Sequence, residues 1–382
     1  MVTADIRPAL RYAWRGPSLL VADPAGRADA RRGGPHGIDG FYFRETRYLS
    51  ELALLVDGEA PFPCSVAQVS PNAIELSQIY PPVEVQGGGG SGSGASGERH
   101  GLLFRTLDLD LRVGVHVASL EVRLRITNRW NERAAFDVAW QLAADYAGIL
   151  EAQHGAREQE APVDAEPMPD GVCFRYRHPE LPLETHVRAE GGGTWTFADG
   201  RLGTRLTLGR QEAAELRLVV RPRDSADALS PDDETPRARR LSAWEESVTL
   251  LHAPGESPLA ELTNTATREL GSLALLDGAE DEWLTPAAGL PLYPAVWARD
   301  ALTAGWQAAV FDRGQLLEST LARLARLQGT RDDTWRDEQP GRIVQQARRD
   351  PLSRLGHVPF DRYYGDVASP FLFIIGLGQM YA

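Results

Sequence analysis

The sequence predicts a multidomain chain of β plus α class: an antiparallel β-sandwich over residues 1–240, a linker over 241–255, and a helical domain over 256–382. Three observations carry this expectation. Before residue 240 the hydrophobic pattern has period two and is punctuated by glycine turns. After it the period becomes helical, and the last segment is apolar nearly all round. Period two buries one face of a strand and wets the other, whereas a 3.6-residue period buries one stripe of a helix.

The clearest strand is Leu120-Glu121-Val122-Arg123-Leu124-Arg125-Ile126-Thr127, where apolar and polar residues alternate without a fault. Similar alternation marks Val113–Val117, Phe136–Leu142, Val172–Tyr176, Leu206–Leu208 and Leu216–Val220. Asp57-Gly58, Gly191-Gly192-Gly193 and Asp199-Gly200 supply turns, because these residue types accept a left-handed backbone. Many short strands with no helix between them indicate a sandwich. The charged stretch Asp224–Arg240 reads as its boundary. Beyond it, Leu259, Leu262, Ala266, Leu270 and Leu273 fall at helical spacing, and Gly271 interrupts that pattern without breaking it. Ala301–Phe311 and Gln315–Leu327 repeat the pattern. Ser369–Tyr381, with Phe371, Leu372, Phe373, Ile374, Ile375 and Leu377, is a helix that other helices must enclose. The helical domain therefore reads as incomplete at Ala382.

Composition removes several function classes. The chain has 382 residues and a net charge of −13, which disfavours a nucleic-acid or anionic-membrane surface. All its basic side chains other than histidine are arginine. A Schiff-base mechanism and a P-loop both need lysine, so neither is expected. Cys64 and Cys173 are too few for a disulfide framework or a thiolate metal site, and they suit a reducing compartment. No histidine pair has metal-binding spacing, and no cofactor or metal is expected. With no signal-like or membrane-spanning segment, the expectation is a soluble, cytoplasmic protein.

Gly92-x-Gly94-x-x-Gly97 is a literal dinucleotide fingerprint within the run GGGGSGSGASG. The fingerprint works only where a helix opens after it, whereas Leu102–Leu107 reads as a strand. The run is read as a flexible loop of the sandwich.

Two separated regions resemble one family. His36-Gly37-Ile38-Asp39-Gly40-Phe41-Tyr42-Phe43-Arg44-Glu45-Thr46-Arg47-Tyr48-Leu49-Ser50, followed by a strand and Asp57-Gly58, resembles the N-terminal domain of bacterial and archaeal glycogen-debranching enzymes, with Glu45 where aspartate is usual. Asp337-Glu338-Gln339-Pro340-Gly341-Arg342-Ile343 is similar to the family's Asp-Glu-x-Pro-Gly-Lys-Ile motif, and Tyr363-Tyr364-Gly365 to a third. The resemblance implies a β-sandwich followed by an (α/α)6 barrel that acts as an amylo-α-1,6-glucosidase on α-glucans. Relatives invert configuration, using one carboxylic acid and one carboxylate. Residues 256–382 are too few for twelve helices, which need on the order of 250 residues. The general acid and base are accordingly expected beyond Ala382, and no catalytic residue is assigned.

What the resemblance implies for this chain is part of a sugar pocket. Trp297-Ala298-Arg299-Asp300 is similar to an aromatic-x-Arg-Asp element in which Arg and Asp grip the terminal glucose. A carboxylate accepts from vicinal hydroxyls, a guanidinium donates alongside, and an indole suits the apolar face of a pyranose. Read without the resemblance, Asp300 simply complements a helix N-terminus. Trp335, Asp337 and Glu338 become sugar-contact candidates in the same way, although an acidic run is more often a solvated loop. Tyr364 and Asp366 lie in the third motif, which is one residue shorter than usual, and Gln345-Gln346 stand where His-Glu is common. Three readings follow: a debranching-type glycoside hydrolase truncated within its barrel, a non-catalytic α-glucan-binding protein, and a glucoside phosphorylase on the same architecture. In each the partner is an α-glucan or oligosaccharide, with no nucleic acid or membrane.

Overall fold

The computed structural model describes residues 10–31, 37–81, 98–99, 102–103, 105–226, 234–252, 257–276 and 284–381. The glycine-rich run 87–97 lies outside these residues.

The sandwich is antiparallel throughout. An eight-stranded sheet runs, in spatial order, Val163–Met168, Gly171–Tyr176, Leu183–Glu190, Ala213–Asp224, Ser119–Asn128, Leu107–His116, Ala73–Tyr80 and Phe62–Ser70. A five-stranded sheet contains Thr196–Ala198, Arg201–Leu208, Ala134–Ala143, Glu51–Val56 and Ala28–Asp29. A four-stranded sheet contains Arg11–Arg15, Ser18–Ala22, Gly40–Phe43 and Thr46–Leu49. The alternation read from Leu120 to Thr127 does what its period requires. Leu120, Val122, Leu124 and Ile126 enter a core shared by all three sheets, while Arg123 and Arg125 stay exposed. One short helix, Ile149–His154, interrupts the strands; the alternation gave no sign of it.

The expected boundary at residue 240 falls inside a helix, Glu234–Ser247. That helix is mostly polar, and among its described side chains Leu241 and Trp244 mark the buried side. They pack with Val117 of the sandwich and with Ala308 and Leu316 of the helical region. Residues 241–247 are thus a structural joint, not a linker, and Arg15 of the first strand reinforces the joint by a two-pronged pair to Glu245 at 2.7 and 3.2 Å.

The longer helices that follow are Pro258–Ser272, Ala298–Asp312, Gln315–Arg326 and Ala368–Tyr381, with a short one at Pro351–Arg354. Ala298–Asp312 and Gln315–Arg326 form a hairpin through Arg313 and Gly314, both at positive φ. At Gly305 the two helices approach so closely that a Cβ there would lie 2.9 Å from the Cα of Leu317. Asp312 caps the hairpin from within: it is fully buried, and its carboxylate accepts from the amides of Gly314 and Leu316 and from Trp244 Nε1. The last helix packs Gly376 against Leu321 and exposes Phe371, Ile374 and Ile375 on its other side. Among the described residues no helix is long and apolar enough to cross a membrane.

Sandwich and helical region meet at a second, polar joint. Arg44 and Glu45 form a two-residue turn between Gly40–Phe43 and Thr46–Leu49, at φ 47° and 65°. Side chains with a Cβ occupy that region at a cost. The turn is held by Arg44 N–H donating to the Pro17 carbonyl and Ile149 N–H to that of Glu45. The Glu45 carboxylate accepts from Arg348 Nε at 2.7 Å and from the Arg349 amide at 2.8 Å. Elsewhere in the same motif, Arg47 donates to the carbonyls of Gly37 and Asp39 and forks onto Asp145.

Candidate functional site

Three stretches far apart in sequence converge, tied by backbone bonds. Val296-Trp297 pairs antiparallel with Gln346-Ala347, placing Trp297 opposite Gln346. The Ala298 amide donates to the Gln345 carbonyl at 2.8 Å, so the helix carrying Arg299 and Asp300 starts from this pairing. Gln345 N–H donates to the Tyr363 carbonyl at 2.7 Å, and Tyr363 N–H donates to that of Gln346 at 3.0 Å. The Tyr364 amide then reaches the Arg336 carbonyl at 2.9 Å.

Arg299 is exposed and Asp300 half-exposed; they pair at 3.4 Å in the first turn of their helix. Trp297 is half-buried and Tyr293 stands edge-on to it, with centroids 5.6 Å apart. Trp297 Nε1, Gln345 Oε1 and Gln346 Oε1 are buried and have no hydrogen-bond partner among the described residues. Such atoms also occur in the sandwich, as at Trp140 Nε1, so what sets this place apart is that three of them meet at one strand pairing.

The remaining candidates separate by environment. Trp335 is 55% exposed on the loop after Gln315–Arg326. Asp337, at φ 53°, is exposed, and its carboxylate accepts from the Tyr363 hydroxyl at 2.7 Å. Glu338 is buried: its Oε1 accepts from the Thr330 amide at 2.8 Å, and its backbone exchanges two bonds with Asp333. It staples its own loop. Tyr364 is 1% exposed in the helical core, its hydroxyl donating to the Leu327 carbonyl. In extended backbone successive side chains point to opposite sides. The neighbouring Tyr363 is half-buried on the opposite side, where its hydroxyl reaches Asp337.

Asp366 caps the last helix. It accepts from the amides of Ala368 and Ser369 and from the Ser369 hydroxyl at 2.7 Å. Burial pushes its carboxyl up, but the Ser369 hydroxyl, the two amides and the Arg299 guanidinium outweigh this and hold it below its ordinary value.

A concavity of about 820 Å³ lies on the eight-stranded sheet and shares no lining residue with these motifs. Its charges pair across strands, Arg112 with Glu75 and Arg217 with Glu190, as on a solvated sheet face. Cys173, Glu184 and His186, which have the donor chemistry for a metal ion, lie on that sheet too, apart from the three motifs.

The geometry can be set beside known proteins. A search of curated proteins finds no match. Among solved structures, a protein described as a kojibiose phosphorylase from the human microbiome superposes with a TM-score of 0.50 at 6% identity, covering 83% of this chain and 46% of its own. A Synechocystis sp. PCC 6803 protein gives 0.37 at 10% identity, with 58% and 98% covered. A galactose mutarotase-like protein from Lactobacillus casei gives 0.33 at 8%, with 56% and 100% covered. Identities this low bear on fold alone, and the chain spans about half the length of the first of these. The profile of the N-terminal domain of some glycogen-debranching enzymes matches residues 14–219, more than half of the chain, from the first sheet through the last long strand of the sandwich. The chain belongs to that glycogen-debranching N-terminal domain family.

Proposed function

We propose that the chain is the front part of a glycoside hydrolase of the glycogen-debranching, amylo-α-1,6-glucosidase type, acting on α-glucans. In this reading the residues from about 256 onward begin an (α/α)6 barrel, and further barrel helices cover the exposed Phe371, Ile374 and Ile375. The observation that carries it is the junction of Trp297, Gln345 and Gln346, whose buried unpaired polar atoms adjoin Arg299 and Asp300. Asp300 accepts from vicinal hydroxyls of a terminal glucose, Arg299 donates beside it, and Trp297 offers a face to the ring. Trp335 and Asp337 extend the contact surface, with Tyr363 orienting Asp337. Glu338, Tyr364 and Asp366 hold the walls.

Inversion needs two carboxyls roughly 6.5–9.5 Å apart across the scissile bond. Asp337 and Glu338 do not form that pair, since one is exposed and the other is bound inside its loop. In this account the acid and base come from sequence beyond Ala382, and the chain alone binds glucan without cleaving it. Two free cysteines support a reducing, cytoplasmic setting.

The fold likeness to a kojibiose phosphorylase favours a second reading, a glucoside phosphorylase, in which phosphate replaces the attacking water. A glucan-binding protein without catalysis is the third. The test is incubation of the purified chain with a branched dextrin, with and without inorganic phosphate. The hydrolase reading expects neither glucose nor glucose 1-phosphate from this chain, and glucose once sequence following Ala382 is joined to it. Glucose from the chain alone would contradict the absence of the acid and base, and glucose 1-phosphate from either form would favour the phosphorylase.

A further inference from the structure

We infer that Cys173, Glu184 and His186 form a site for a borderline-soft divalent metal ion, Zn²⁺ in the first instance, on the wet face of the eight-stranded sheet. Strand register brings the three together. Cys173 lies directly opposite His186 in the pairing of Gly171–Tyr176 with Leu183–Glu190, and Glu184 precedes His186 by two residues on the same face. Their neighbours Phe174, Leu183 and Val187 point the other way, into the core. The donor atoms all lie within 4.8 Å of one another. Cys173 Sγ is 3.6 Å from His186 Nε2, and that nitrogen is 2.9 Å from Glu184 Oε2. Tetrahedral zinc, with bonds of about 2.3 Å to sulfur and 2.0–2.1 Å to nitrogen, sets these two atoms about 3.6 Å apart.

The pattern of contacts selects a metal over a reactive thiol. A nucleophile–base–acid relay uses both imidazole nitrogens, one for the thiol and one for the carboxylate. Here Sγ and the carboxylate approach the same nitrogen, Nε2, so the shared proton is what a cation would replace. On binding, the thiol proton leaves to solvent and the imidazole proton resides on Nδ1, giving one thiolate, one neutral imidazole and one carboxylate. Those two negative charges balance a divalent ion. The sulfur is buried, while Glu184 and His186 are partly open, leaving a side for entry and for a water as fourth ligand. Arg175 fixes the set from outside: Nε holds Glu184 Oε1 at 2.8 Å, leaving Oε2 to the metal, and Nη1 is neutralised by Glu166 at 2.7 Å. Exposed Arg221 and Arg223 on the next strand oppose a cation, which favours a site carrying its own thiolate over a carboxylate-only one. The bound ion clips two neighbouring strands of the sandwich together.

The probes are Zn²⁺ and Co²⁺, titrated into the full chain carrying Cys64→Ser so that the exposed thiol does not compete. The expected result is one ion per chain, a thiolate-to-cobalt charge-transfer band, and a higher unfolding temperature with Zn²⁺. His186→Gln and Cys173→Ser should each weaken binding at least roughly 10–100-fold and abolish the temperature shift. His186 is half-exposed, so its replacement leaves the fold intact and keeps the test readable if Cys173→Ser fails to fold. Binding without the charge-transfer band, or binding of equal strength in His186→Gln, would overturn the assignment.

Discussion

Glu45 and Arg348 meet at 2.7 Å with both side chains 3% exposed, joining a hairpin turn of the sandwich to the loop before the short Pro351–Arg354 helix. Burial pushes the Glu45 carboxyl up and the Arg348 guanidinium opposes this, so the pair persists because each partner neutralises the other. Asp350, fully buried, lies 3.7 Å from the same guanidinium and caps Pro351–Arg354 through the amides of Leu352 and Ser353. Glu45 thus forms one of the contacts between the two halves of the chain, beside the Leu241 and Trp244 joint.

Removing Arg348 leaves Glu45 buried without its counter-charge, and removing Glu45 leaves buried Arg348 with the more distant Asp350 at 3.7 Å. Glu45→Ala or Arg348→Ala should each cost about 3–5 kcal/mol, whereas the double replacement by apolar residues, Glu45→Leu with Arg348→Met, should recover much of the loss. Urea-unfolding midpoints of the two single variants and the double one check this. Additive losses would show the pair to be energetically idle.

Gly271 sets propensity against packing. In a helix interior alanine is favoured over glycine by about 0.8–1.0 kcal/mol. A Cβ at Gly271 would stand 2.5 Å from Trp244 Cζ3, within the joint between sandwich and helices. Overpacking costs about 1–3 kcal/mol, so Gly271→Ala should destabilise despite its better propensity. A raised melting temperature for this variant would mean that the joint is loosely packed.

Much of this was legible beforehand, and the misses have physical causes. Leu120–Thr127 and Gln315–Leu327 announce themselves because one face of each is buried and the other wet. Glu234–Ser247 does not, because two residues, Leu241 and Trp244, do most of its packing. Arg44 and Glu45 carry no turn signature, since arginine and glutamate are held at positive φ only by tertiary bonds. In the site, the residues of Trp297–Asp300 by themselves read as a helix N-terminus, and only the resemblance singles them out as a sugar contact. The burial of Tyr364 and Glu338 was not legible, because it depends on which loop lies across them. Asp366 was readable as a cap, an aspartate two residues before a helix that begins Ala-Ser-Pro. Cys173 and His186 are neighbours only through strand register, which no linear spacing reveals.

Asp366 gives a prediction in pH. Its folded carboxyl titrates below its ordinary value of 3.8. The stability it contributes is therefore fully present above 3.8 and is lost as pH falls through the folded value. Asp366→Ala should cost about 0.5–2 kcal/mol near neutrality through loss of the cap. The difference between wild type and variant should shrink in acid below pH 3.8, as followed by thermal melts across that range. A gap that widens there would contradict the direction of the shift.

The central claim is that Arg299, Asp300 and the Trp297 junction bind the end of an α-glucan. Calorimetric titration of the chain with a branched maltodextrin, beside Asp300→Ala and Arg299→Ala, tests it most directly. Weak but saturable binding is predicted for the wild type, because hydrogen bonds at an open site compete with water and contribute about 0.5–1.5 kcal/mol each. Both variants should lose about tenfold or more in affinity, as expected when a bond to a charged group contributes about 1.5–3 kcal/mol, while their melting temperatures stay within a few degrees of wild type. No binding by the wild type, or equal binding by all three proteins, would contradict the account.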